Sequence, residues 1–496
     1  MKHRLLTRGV LTAALSFAFT LPAFSPAMTA AEAAAAKKPA VRTAAAAKPP
    51  VKKTARKPVS TVSPIKGGLP TQAARAALTK DLDAMIGNTG THVPGLGVIV
   101  FKDGKEVYSH FAGRRRIGAS SGGSDLPVTR DTRFRVASVS KVFTGLAVMQ
   151  LAAQGKIGLD EDISRYLGYT LRNPNFPDTP ITVRMLLSHT SSLRDGSSYS
   201  LPPSVSLREY FRPGSRYYSS SHFSSKWQQP GRYFKYANIN FGVLGTIIEC
   251  VTGQRFDQYM KSHILADLDT QASFFPATLS PAAFAGLGTI YRKNEGSDWD
   301  ETGPWIPQCD DFRGIQPKTW TAPSGYSLSG YRPGTNGTVF APQGGLRISY
   351  EELSHALRLF INKGIFNGRT VVRPDLINQM MTEQWTYSPA QKNGDTYGGS
   401  IEGYGLAFYP IRGRSTSRVV RDHILNLWGH TGEAYGLLAG IFVVPGTKNG
   451  FLYIMNGEAI AEDNDPRSAG KFSGNYIWEE NIMNAICRHI YFGEEK

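Results

Sequence analysis

The sequence predicts an α/β fold, an antiparallel sheet flanked by helices and joined to a mainly helical lobe, with a cleft between the two. Three observations predict it. Runs rich in β-branched and aromatic residues stand near both ends of the chain, at 98–101 and 106–111 and again at 437–444 and 451–455. The patterns between them are mostly helical, so the two ends complete one sheet and the middle forms a helical insertion. Beyond the amino-terminal tail some 430 residues remain, too many for one simple core and enough for two lobes.

The tail reads as two segments. Lys2, Arg4 and Arg8 precede an apolar stretch at 9–24 and then small residues including Ala31-Glu32-Ala33. The apolar stretch is shorter than a membrane span needs, so residues 1–33 are expected to be a signal peptide, cleaved between Ala27 and Ala36, with export to the periplasm. Residues 34–66 are a low-complexity Ala/Lys/Pro segment with nine basic residues and no acid. Such a segment has too little apolar surface to offset its ordering entropy and is expected to be a disordered linker. It carries over half of the chain's formal net charge of +17, so the basicity belongs mainly to the tail. There it serves either as an electrostatic contact to anionic envelope polymers or as a solvated spacer. No aromatic-interleaved basic patch or nucleic-acid motif is present, so no nucleic-acid partner is expected.

Residues 67–496 form the remaining domain. Lys102-Asp103-Gly104-Lys105 separates the first two strands, and Asp-Gly marks a tight hairpin turn. A helix is expected over 138–154, where Val142, Phe143, Leu146, Met149 and Ala153 recur at three- and four-residue spacing. A second, 243–251, ends near Gly253, and a third, 476–490, has apolar positions suited to packing on the sheet. The Gly/Pro/Ser/aromatic-rich stretches 196–230 and 291–344 read as loops at the cleft mouth. Cys250, Cys309 and Cys487 are too few for a disulfide scaffold and are not spaced as a metal site. In an oxidising compartment one pair could bridge, and the sequence does not choose it.

Chemistry concentrates in three short elements. Ser138-Val139-Ser140-Lys141 places a hydroxyl and an amine one helical turn apart, and an adjacent base is the usual way to activate a serine. Ser63-Pro64-Ile65-Lys66 and Ser468-Ala469-Gly470-Lys471 fit the same spacing, but proline in a basic tail and glycine in a polar loop set them apart. Tyr236-Ala237-Asn238 offers a tyrosine that relays a proton if its pKa is depressed. Its asparagine could hydrogen-bond a substrate carbonyl and the lysine together. His430-Thr431-Gly432 stands at the start of the last strands. Its glycine lets a substrate backbone approach, and the next amide, of Glu433, can join that of Ser138 in an oxyanion hole.

In this order the three elements resemble those of the serine β-lactamase and penicillin-binding protein superfamily, in its class C branch of β-lactamases, D,D-peptidases, D-amino-acid amidases and family VIII esterases. Residues 181–193 (ITVRMLLSHTSSL), 155–162 and 344–349 resemble further stretches of that branch. The resemblance implies a β-lactamase/transpeptidase-like fold with the active site between sheet and helical lobe. It implies that Ser138 is acylated, that Lys141 and Tyr236 shuttle the proton, and that Asn238 holds the substrate carbonyl. His430, Thr431, Gly432 and Glu433 then line the opposite wall, and no metal or cofactor is implied. The substrates it implies are peptidoglycan peptides or small acyl esters and amides, with β-lactams as acylating ligands. The first expectation is a D,D-carboxypeptidase or endopeptidase.

Departures from the pattern matter. Tyr-Ala-Asn and His-Thr-Gly replace the Tyr-Ser-Asn and Lys-Thr-Gly common in class C β-lactamases, and histidine, cationic only in part near neutral pH, weakens the attraction for a substrate carboxylate. Glu433 adds negative charge that would favour a substrate bearing a free amine, unless it faces solvent or pairs with an arginine. A family VIII esterase or a D-amino-acid amidase would use the same serine, lysine and tyrosine, and a binding or sensor module would use the fold without turnover. Gly118-Ala119-Ser120-Ser121-Gly122 matches the nucleophile-elbow pattern of α/β-hydrolases, but it is read as a loop with no apolar strand entering and no helix leaving.

Overall fold

The computed structural model describes residues 62–495 except 297, 414–417 and 463–464. The expected signal peptide, and the expected linker as far as residue 61, lie outside the described residues. Seven strands make the main sheet: β1 (Gly95–Lys102), β2 (Lys105–Arg116), β3 (Leu126–Pro127), β4 (Tyr409–Ile411), β5 (Leu427–Ala434), β6 (Leu437–Val444) and β7 (Asn449–Met455). Their order is β4-β5-β6-β7-β1-β2-β3, antiparallel throughout. The two ends of the chain meet at its centre, where Leu96 lies opposite Met455 and Phe101 opposite Gly450. Asp103 and Gly104 both adopt positive φ, 51° and 80°, as the expected two-residue hairpin turn requires.

Helices cover both faces of the sheet. Along β1, successive side chains point to opposite sides, and the whole strand is buried. Leu96, Val98 and Val100 pack with Leu78 and Leu82 of α1 (Gln72–Asp83) and with Trp478 and Ile482 near the carboxyl terminus. Ile99 and Phe101 belong to the other core, which continues into the helical lobe. That lobe is built on α2 (Ser140–Ala153), α3 (Val183–Leu187) and α4 (Ile239–Thr252), with α5 (Tyr350–Ile361) between it and the sheet. The last helix, α6 (Ile477–Ile486), passes into a π-helical turn, Cys487–Tyr491, filling the stretch expected to be one helix.

Several expectations are corrected. The helix expected over 138–154 opens as a 3₁₀ turn, Ala137–Val139, before α2 begins at Ser140. The helix expected at 243–251 starts four residues earlier, because a carboxylate from another segment receives the Ile239 N–H, and Gly253 ends it at φ 69°. The ordered domain begins before residue 67: Ser63 N–H donates to Ile424 O at 2.9 Å and Lys66 N–H to Tyr491 O at 2.8 Å. At 118–122, β2 does lead in and one helical turn, Gly118–Ser121, follows, fastened by the Gly118 N–H on Asp125 and by Ser121 against Tyr291. The long stretch 291–344 contributes short strands, Ile290–Arg292 and Ile306–Cys309, which pair in one small sheet with Gly457–Glu458. All three cysteines are free thiols.

Candidate active site

Ser138 stands at a bend. The short strand Arg133–Arg135 pairs with Arg347–Ser349, then Ala137 takes a φ of 45°, in the left-handed region, and the chain turns into α2. Holding a non-glycine residue there costs about 1 kcal/mol or more, tolerated where the surroundings dictate it. The bend brings Ser138 to the mouth of α2, with Lys141 just inside its first turn. Lys141 is fully buried, and its Nζ lies 3.0 Å from Ser138 Oγ, 2.8 Å from Asn238 Oδ1 and 3.0 Å from the Gln343 carbonyl oxygen.

Those three neighbours serve Lys141 in either protonation state. A neutral amine has two hydrogens and one lone pair. As an ammonium Lys141 donates to all three; once neutral, it gives its two hydrogens to Asn238 Oδ1 and Gln343 O, which are acceptors only, and its lone pair is left for the Ser138 hydroxyl. Burial pulls the Lys141 pKa down to about 7, against the charge of Asp195, which raises it. Near neutral pH, then, a large share of the molecules hold Lys141 as the free amine.

Tyr236 reaches Ser138 from the helical lobe, its hydroxyl in hydrogen-bond contact with the serine side chain. Its ring lies 4.8 Å from Lys141 Nζ and stacks on His189 at 4.2 Å between centroids. The expected depressed pKa is not found. Burial raises the Tyr236 pKa well above the ordinary value, more than the Ser138 contact lowers it. Tyr236 is therefore a protonated phenol near neutral pH, and of the two groups beside Ser138 it is Lys141 whose pKa is brought close to neutrality.

On the opposite wall, β4 pairs with β5 only across Leu427–Gly429, and from His430 onward β5 runs against the Ser138 turn. A Cβ on Gly432 would stand 2.4 Å from Val136 O and 3.3 Å from Ser138 N, so glycine is what allows the strand this close to the nucleophile. The approach sets the Ser138 amide beside the strand, as the expected oxyanion hole requires. His430 is buried, with Nδ1 2.5 Å from Thr431 O and Nε2 3.0 Å from the Tyr404 hydroxyl. A neutral ring satisfies both, donating from Nδ1 and accepting from Tyr404 at Nε2. Thr431 Oγ1 meets the Tyr409 hydroxyl at 3.0 Å. Glu433 is half-buried, and its charge is felt at Tyr236 and at the fully buried Glu458.

All eight expected site residues thus gather around the Ser138 turn. Sequence reasoning missed their supports. His189 lay inside the stretch 181–193 without a role; it accepts from the Ala237 N–H and the Asn240 side chain at Nδ1, both at 3.1 Å. Burial and the Lys141 charge push its pKa well down, so it stays neutral beneath Tyr236. Asp195, two residues beyond that stretch, accepts from Ile239 N–H at 2.8 Å and from Asn238 Nδ2 at 3.3 Å. Gln343 acts through its carbonyl, which any residue would supply. A cavity of about 410 Å³ is lined by Arg135, Phe275, Phe312, Val339, Ala341 and Tyr435 among others, and by none of the eight expected site residues. Arg135 is three residues before the nucleophile and Tyr435 two beyond Glu433. Among the described residues no cluster of three His, Cys, Asp or Glu is arranged to hold a metal ion.

A serine held against a buried amine, beside a phenol and a glycine-lined strand, is the equipment of a serine hydrolase, and comparison with known proteins agrees. Protein flp of Staphylococcus aureus (strain MRSA252) is 30% identical over 223 residues, 43% of each chain. A D-aminopeptidase of Brucella anthropi is 28% identical over 219 residues, 43% of this chain and 37% of that protein. The matched stretch spans less than half the length of these curated relatives. Among solved structures, the D-amino acid amidase from Ochrobactrum anthropi SV3 superposes with a TM-score of 0.55 at 18% identity, over 83% of this chain and 99% of that one. The octameric penicillin-binding protein homologue from Pyrococcus abyssi gives 0.51 at 24%, over 74% and 70%. Both likenesses are of fold. The Beta-lactamase family model matches residues 76–473, and the chain belongs to that family.

Proposed function

We propose that the protein is an exported serine hydrolase that forms an acyl-enzyme on Ser138 and cleaves amide bonds of D-amino-acid-containing peptides, foremost the D-Ala-D-Ala-type peptides of peptidoglycan. The observation that carries this reading is the setting of Lys141: fully buried, 3.0 Å from Ser138 Oγ, with Asn238 Oδ1 and Gln343 O placed to take the two hydrogens of a neutral amine. In the reaction Lys141 accepts the Ser138 proton as Oγ bonds to the substrate carbonyl carbon. The oxyanion is stabilised by the Ser138 and Glu433 amides. Collapse breaks the C–N bond, and the leaving amine takes a proton through Lys141 and the Tyr236 phenol. Water then releases the acyl group with Lys141 again as base.

Peptidoglycan pentapeptide fragments, incubated with the mature protein and with Ser138→Ala and read by mass spectrometry, test the reading. Loss of one alanine mass, or opening of a cross-link, only with intact Ser138 supports it. Unchanged fragments with both proteins rule out the wall-peptide substrate.

A second reading, hydrolysis of amides or peptides with a free amino terminus, is favoured by Glu433 and by the D-aminopeptidase among the relatives. Under it, Glu433→Gln weakens turnover of D-amino-acid amides more than that of their N-acetylated counterparts. Equal losses on the two would remove Glu433 as the amine's partner.

A further inference from the structure

Asp195 lies outside every motif, yet it is joined to the candidate base through a single side chain. One carboxylate oxygen receives the Ile239 N–H at 2.8 Å, at the first turn of α4; the other receives Asn238 Nδ2 at 3.3 Å. Asn238 Oδ1 in turn faces Lys141 Nζ at 2.8 Å. The segment is held in place by the Tyr210 hydroxyl, which donates to the Asp195 backbone carbonyl at 2.6 Å.

We propose that Asp195 is a positioning residue for acyl transfer: its carboxylate fixes which end of the Asn238 amide faces Lys141. The inference rests on the reading of Ser138 as nucleophile and Lys141 as base. An asparagine amide fits its space equally well after a half-turn about its last bond. With Nδ2 held by Asp195, only the carbonyl end is turned to the amine, which donates to it and to Gln343 O and, once neutral, has its lone pair left for Ser138. After the half-turn, Lys141 would meet an N–H. The amine would then have to aim its lone pair at Asn238 instead of at the nucleophile.

The same carboxylate acts on charge. Lys141 faces the Tyr236 and Phe241 rings, at 4.8 and 5.5 Å, and its charge is felt by the neutral His189. Asp195 is the carboxylate whose charge raises its pKa. Asp195 itself is within electrostatic reach of Arg194, Tyr210, Tyr236 and Tyr397. Removing its negative charge while the pocket stays closed makes the lysine cation harder to form, so the Lys141 midpoint falls below its value of about 7. A variant that merely loosens the pocket admits water and does the opposite, moving the midpoint up toward that of an ordinary lysine.

The direction of that shift is the test. Acylation by p-nitrophenyl acetate is followed from pH 5 to 9 for the wild-type protein and Asp195→Asn. In parallel, Lys141 is titrated by NMR in lysine-labelled protein, its signal assigned by its loss in Lys141→Met. In Asp195→Asn the plateau rate is expected to fall about tenfold or more, the scale of a misplaced catalytic group, with the Lys141 midpoint lowered. Asp195→Ser keeps an oxygen for the Ile239 N–H without reaching Asn238, so it should fold as the wild type does and remain slow.

An unchanged rate and midpoint in Asp195→Asn, a midpoint that rises, or full activity in Asp195→Ser would overturn the proposal. A wild-type protein that p-nitrophenyl acetate does not acylate, with the midpoint still lowered in Asp195→Asn, would overturn the serine-hydrolase reading and leave the linkage of Asp195 to Lys141 standing.

Discussion

Replacing Lys141 by methionine should make the protein more stable at pH 6 than at pH 9, relative to the wild type, while abolishing acylation. The side chain is fully buried and titrates near 7, against 10.5 for an ordinary lysine. Between those two values the unfolded chain holds a proton that the folded chain has lost, so wild-type stability rises with pH across the window. Below pH 7 both states are protonated and the full penalty of burying the cation is present. From pH 7 to pH 9 about two units of the difference are relieved, and at about 1.4 kcal/mol per unit that is about 3 kcal/mol. Methionine has similar length and no proton to gain, so it escapes this dependence. Its own cost is the loss of partners for Asn238 Oδ1 and Gln343 O, on the order of 1 kcal/mol each, and this does not change with pH. Urea unfolding of both proteins at pH 6 and pH 9 gives the double difference, in which the titrating groups not coupled to Lys141 cancel. A difference that does not vary with pH would show that Lys141 is charged throughout, and the assignment of the base would fail.

Three further outcomes are expected. Gly432→Ala places a methyl group 2.4 Å from Val136 O; the strand must withdraw from the Ser138 turn, and acylation should fall at least a hundredfold, on the scale of a lost oxyanion donor, with the circular dichroism spectrum retained. Val339→Phe projects into the 410 Å³ cavity and should raise KM for amides with bulky aromatic side chains while leaving alanine amides little changed; equal effects on both would separate the cavity from substrate binding. Burial pushes the thiols of Cys250 and Cys309 up to about 11 and that of Cys487 higher still, so Ellman's reagent at pH 8 should react slowly with the native protein and fully in urea.

The parts of this fold legible in the sequence are those set by local pattern. The Asp103-Gly104 turn, the continuous apolar run of β6 and the pairing of serine and lysine across one helical turn each depend on a few neighbouring residues, and each stands where expected. What was not legible depends on distant partners. The strands Ile290–Arg292 and Gly457–Glu458 are too short to show alternation and exist only because they meet. The start of α4 at Ile239 was missed because its first N–H is satisfied by Asp195, 44 residues away. The protonation of Tyr236 was not legible for the same reason. A pKa follows from burial, and the enclosure of Tyr236 by His189, Tyr404 and Tyr397 appears only when three separate stretches of chain are brought together.

The distribution of charge around Lys141 follows from what the reaction asks of it. A carboxylate in direct contact would hold the lysine as an ammonium, with no lone pair for Ser138. With no negative charge nearby, the ammonium formed when the serine proton arrives would be left in a closed pocket with only carbonyls and ring faces as partners. The structure takes the middle course. Neutral acceptors touch the amine, two aromatic rings face it, and the carboxyl group of Asp195, its own pKa raised by burial, stands one side chain behind, across Asn238. That spacing lets burial win by enough to bring the pKa near 7 while keeping the cation within reach. It also explains why the asparagine of Tyr-Ala-Asn must be an amide: aspartate at 238 would move the charge into contact with Lys141, and leucine would remove the link altogether.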